Sequence, residues 1–132
     1  MDIELVRQYC IKKTMVSEGF PFNETTLVFK VMGKIFALLN LEYPHSISLK
    51  CDPVRAIELR EKYEDIKPGY HMNKKHWNML DLTGTLDDKL IQELIDHSYD
   101  LVVSKLPRKT KEELDNLENK FDGSKNLRDL SN

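Results

Sequence analysis

Between positions 85 and 106 the residues Leu86, Leu90, Ile91, Leu94, Ile95, Ser98, Leu101, Val102 and Leu106 recur at helical spacing and hold one stripe for five turns. A stripe this long, confined to one side, has to be buried, and a helix cannot cover its own face. The rest of the chain must therefore supply a second layer. Thr85 and Asp88 stand at capping-box spacing at the start of this helix.

The second layer comes from segments with a period of 2. Residues 25–41 are rich in β-branched and aromatic side chains and carry Gly33 near the middle, which predicts a hairpin turning at Met32-Gly33. Val31 then faces Lys34, Phe29 faces Phe36 and Leu27 faces Leu38. That register puts Leu27, Phe29, Phe36 and Leu38 on one face and Val28, Lys30, Ile35 and Ala37 on the other. Residues 46–51 predict a third strand, with Ile47, Leu49 and Cys51 pointing one way and Ser48 and Lys50 the other. Residues 76–82 predict a fourth, with Leu80 and Leu82 on the core face and Trp77 and Met79 facing outward.

Two more helices frame these strands. Residues 3–16 carry Ile3, Val6 and Cys10 at helical spacing, and Gly19-Phe20-Pro21 ends the segment. Asp52-Pro53 opens a second helix, because Asp can accept from the free amides of the first turn and Pro gives up a donor that had no partner. Its buried stripe is Ala56, Leu59 and Tyr63, with Ile57 beside them. Beyond Pro107 the chain turns polar, and Thr110, Glu113, Leu114, Leu117 and Phe121 predict a short C-terminal helix. The expected fold class is α+β: an antiparallel sheet with helices packed on one face, in the order α-β-β-β-α-β-α plus that short helix. Residues 1–106 form the domain and 107–132 a charged, partly helical extension.

A chain of 132 residues, 40% hydrophobic and 32% charged, can bury one core unaided. No apolar run is long enough to span a membrane, and Met1-Asp2-Ile3-Glu4 lacks the basic start of a signal peptide, so the expected compartment is the cytoplasm. Cys10 and Cys51 read as two buried thiols in a reducing environment. The net charge of −2 is unevenly spread. Residues 81–106 sum to −4, whereas residues 69–80 carry Lys74 and Lys75 without an acid.

Three stretches together resemble the MmcQ/YjbR family of small bacterial proteins: Val28-Phe29-Lys30-Val31-Met32-Gly33-Lys34-Ile35-Phe36-Ala37-Leu38, then Leu49-Lys50-Cys51-Asp52-Pro53, then Pro68-Gly69-Tyr70-His71-Met72-Asn73-Lys74-Lys75-His76-Trp77. The resemblance spans most of residues 1–106. It implies a CyaY-like, frataxin-like fold and a role in DNA binding. Frataxins are associated with iron through an acidic first helix; here that helix has Asp2, Glu4 and Glu18 against Arg7, Lys12 and Lys13, so no metal is expected. His71 and His76 lack a neighbouring carboxylate or thiolate and make no closed zinc site.

The expected function is weak, salt-sensitive DNA binding by the open sheet face and the 69–80 loop, through Lys30, Lys34, Lys50, Asn73, Lys74, Lys75 and Trp77. The alternative is a ligand- or protein-binding module built from Tyr70, His71, Asn73, His76 and Asn78. No nucleophile elbow, phosphate-cradling glycine loop or zincin motif is present, so no enzyme and no cofactor are expected. A monomer is expected rather than a dimer.

Overall fold

The computed structural model describes residues 1–70 and 72–131, with side chains as far as residue 119. Six strands, β1 (Val16–Gly19), β2 (Thr26–Val31), β3 (Lys34–Asn40), β4 (Ser46–Lys50), β5 (Ile66–Pro68) and β6 (Trp77–Asp81), form one antiparallel sheet in the order β1-β2-β3-β4-β6-β5. Helices α1 (Ile3–Ile11), α2 (Pro53–Lys62) and α3 (Asp88–Ser104) cover one face, and α4 (Arg108–Ser131) follows them. The predicted order stands, with the short strands β1 and β5 added at the two sheet edges.

The apolar stripe of α3 explains the layering. Ile91, Leu94, Ile95, Ser98, Tyr99 and Val102 are buried, and α3 lies across β2, β3 and β4. Leu114, near the start of α4 and 1% exposed, joins the same cluster. Helix α1 is tied to α3 by Tyr9, whose hydroxyl donates to both Asp96 carboxylate oxygens at 2.8 and 2.9 Å, and by the Lys13–Asp96 ion pair.

Several local expectations are corrected. The first helix stops at Ile11, and Val16 instead opens β1, with Met15 before it in the left-handed region at φ 57°. The Met32-Gly33 turn forms, both residues having positive φ (48° and 83°), as a two-residue hairpin turn requires. Beyond Lys30–Ile35, however, a β-bulge shifts the register: Phe29 pairs with Ala37, Val28 with Leu38 and Leu27 with Leu39. Phe36 is the extra residue, and it enters the core together with Ala37. Leu38 consequently lies on the open face, opposite to expectation. Neither capping box forms: the N-cap of α3 is Asp87, without a side-chain bond, and α4 begins before Thr110. Thr85 gives its amide to Asp65 instead, at 2.9 Å. On α2, Asp52 caps as expected, accepting from the Arg55 amide at 3.0 Å, but Ile57 is 52% exposed.

The β3–β4 ladder ends at Ala37–Leu49, and a helix extends it by one link. The Lys50 amide donates to Ser98 Oγ at 2.9 Å, and the Ser98 hydroxyl donates to the Phe36 carbonyl. Ser98 is fully buried. Removing its hydroxyl strands a buried donor and acceptor, at about 1–3 kcal/mol for each unsatisfied group.

Candidate nucleic-acid interface

Strand register fixes which side chains meet on the face the helices leave open. One row carries Ser17, Lys30 and Ile35 on β1–β3 and the pair Lys50–Trp77 on β4 and β6. The next carries Gly19, Val28, Leu38, Ser48, Met79 and Lys67. Ile35, Leu38 and Met79 are thus half-buried apolar side chains with Lys30, Lys50 and Lys67 around them. Lys67 belongs to the surface although periodicity does not reveal it, because three residues are too few to show alternation.

All of β2, β4 and β5 end at the same edge of the sheet, which therefore carries both the Met32-Gly33 turn and the 69–76 loop. Lys34 stands exposed at the hairpin tip, paired with Val31 and so on the helix side of the sheet. The loop is tied by its own backbone: Gly69 N–H to Trp77 O at 2.8 Å, Met72 N–H to Gly69 O at 3.0 Å and His76 N–H to Asn73 O at 3.1 Å. Asn73 Oδ1 accepts from the Lys75 amide at 2.9 Å, and Arg60 Nη1 on α2 donates to Lys74 O at 3.4 Å. A Cβ on Gly69 would stand 2.8 Å from Trp77 Cβ, so only glycine lets the loop close here.

Trp77 does lie on the outward side of β6, but it is 8% exposed and therefore offers no ring to a ligand. It anchors the loop. The exposed aromatic is Tyr70, 57% accessible, with Lys74 Nζ 5.4 Å from its ring centroid. Asn73, Lys74 and Lys75 are exposed beside it.

The lysines of this surface are not neutralised internally. Among the described residues the ion pairs join Met1 to Asp88, Arg7 to Glu4 and Glu18, Lys13 to Asp96 and Arg108 to Glu112. Lys30, Lys34, Lys50, Lys67, Lys74 and Lys75 take part in none of them. One carboxylate shares the open face, Asp81, at the opposite end of β6; hydrogen bonds from Thr83 hold its pKa below the usual value, and Lys67 adds to the effect.

The alternative set is not gathered. Asn78 pairs with Leu49 on the core face, is 2% exposed and donates from Nδ2 to Ala56 O at 3.2 Å. His76 is half-buried, its carbonyl taking the Cys51 amide at 2.7 Å, and Asn73 uses its side chain to form the turn. His71 lies outside the described residues. Burial pushes the Cys51 thiol up to about 11, so at neutral pH it is no thiolate nucleophile. Beyond it the Asp52 amide donates to His97 Nε2 at 3.1 Å; burial above all, and then Arg55, holds the His97 pKa below 6.5 and keeps that nitrogen an acceptor. Among the described residues no group of three or more His, Cys, Asp or Glu could hold a metal ion.

A family model described as YjbR matches residues 11–101. The chain is 36% identical over 107 residues to YbdF of Escherichia coli O157:H7, covering 80% of this chain and 88% of that one. It is 34% identical over 108 residues to YjbR of Escherichia coli K12, covering 81% and 92%. A crystal structure of a Deinococcus radiodurans protein with a DUF419 domain superposes with a TM-score of 0.80 at 39% identity, covering 85% of this chain and 86% of that one. A Pseudomonas syringae protein superposes with a TM-score of 0.68 at 31% identity, covering 76% and 98%.

Proposed function

The chain belongs to the YjbR family, and on that footing we propose that it is a non-catalytic, cytoplasmic DNA-binding protein that holds its partner weakly through the open sheet face and the 69–76 loop. The observation that supports this most is the grouping of lysines. Lys30, Lys50 and Lys67 lie on the open face and Lys34, Lys74 and Lys75 beside it, and none of the six is in an ion pair among the described residues. Lysines without internal partners can neutralise phosphates and release their counterions, which is the main source of sequence-independent affinity.

The surface positions a phosphate backbone and does not read a sequence. Arg60 spends its guanidinium on the Ala56 and Lys74 carbonyls, so no arginine fork is left beside the loop for bidentate contact to guanine. About four phosphate contacts give a log–log salt slope near −3 to −4. Fluorescence anisotropy of labelled DNA across a salt series measures it. A slope in that range supports the reading, and no saturable binding at low salt would sink it.

A further inference from the structure

The open face and the loop at its edge combine three things that a paired duplex cannot use together: a sheet surface, an apolar strip and the exposed ring of Tyr70. Ile35, Leu38 and Met79 lie on the sheet between Lys30, Lys50 and Lys67, and Tyr70 stands more than half exposed at the edge with Lys74 over its ring at 5.4 Å. In a duplex the π faces of the bases are hidden in the stack and the grooves admit a helix, a ribbon or an inserted side chain. Here the helices α1, α2 and α3 are occupied on the other side of the sheet. In a single strand the base faces are free to lie against an aromatic or apolar surface while lysines track the phosphates.

Resting on the DNA-binding reading above, we infer that the nucleic acid this face takes is single-stranded, with Tyr70 stacking on one base and Lys74 beside it meeting the adjoining phosphate. The loop is built to hold that pair in place. Trp77 is buried beneath it, Gly69 closes against Trp77, and Arg60 fixes the Lys74 carbonyl. Pre-set geometry of this kind reduces the ordering cost that a mobile tyrosine and lysine incur on binding.

The test compares a labelled thymidine single strand of about 15 nucleotides, within the span of known single-strand sites, with a duplex of the same length. Anisotropy is read at low salt on the full chain and on Tyr70→Ala, Tyr70→Phe and Lys74→Gln. The expected result is a single strand bound about tenfold tighter than the duplex, a loss of about tenfold for Tyr70→Ala on the single strand alone, and retention by Tyr70→Phe. Lys74→Gln weakens both ligands. Tyr70 is exposed, so thermal melting of its variants matches the parent. Duplex binding equal to or tighter than single strand, or a Tyr70→Ala variant that binds like the parent, overturns this inference and leaves the broader reading standing. Failure of both ligands to bind overturns the two together.

Discussion

The two ends of the sheet are built with the same device and present opposite chemistry. At one end Asn73 folds the 69–76 loop by accepting the Lys75 amide; at the other Asn23 accepts the Thr25 and Thr26 amides, and Asn40 accepts that of Glu42. The first end buries Trp77 and shows lysines around a single aromatic, Tyr70, at 57% exposed. The second shows Phe20, Phe22 and Tyr43, at 50%, 63% and 79% exposed, among Glu24 and Glu42. Turn chemistry alone therefore says nothing about function. What separates the ends is that the first spends a tryptophan as an anchor, and which charge is left outside.

The sharpest way to break this comparison is to remove one aromatic from each end. Trp77→Ala is expected to cost about 3 kcal/mol of stability, as truncation of a buried aromatic does, whereas Phe22→Ala stays within about 0.5 kcal/mol, as exposed substitutions do. Urea unfolding measures both, and equal costs would mean that Trp77 anchors nothing. Next in size is the charge contrast. Lys74→Gln with Lys75→Gln should flatten the salt slope of DNA binding by about 2, while Glu24→Gln with Glu42→Gln leaves it unchanged. An effect from both pairs would point to net charge rather than a surface.

The smallest effect separates the ends by pH. His97 sits behind the lysine end with its folded pKa below 6.5, so the unfolded chain binds the proton more readily; its contribution is present above pH 6.5 and is lost as pH falls through the lowered value. Asp81, at the other end, also has a lowered pKa, so its contribution is present above 3.8 and disappears only below it. On acidification the Asp52 amide resonance should move first and that of Thr83 later. A single joint transition would contradict the assignment.

Much of this was legible in the residues themselves. The α3 stripe, the Asp52-Pro53 helix start and the Met32-Gly33 turn each follow from local geometry, and each is where expected. The bulge at Phe36 was not, because alternation along a strand cannot show which of two neighbouring apolar residues, Phe36 or Ala37, is the extra one. The burial of Trp77 is not legible for a related reason. Register places it on the outward face, but the 69–76 loop closes against it, and only the Gly69 amide bond to the Trp77 carbonyl reveals the cover. Lys67 was lost with the three-residue strand that carries it.

The Ser98 bridge has a consequence for the order of assembly. Most strand pairs can zip from their own backbones, but the β3–β4 ladder at the lysine end lacks a direct link between Lys50 and Phe36 and closes only through a hydroxyl delivered by α3. That one link waits for the helix to dock. Amide exchange at Lys50 should then report on helix docking rather than on the stability of the hairpin, placing the lysine edge among the last parts of the sheet to form and the first to open.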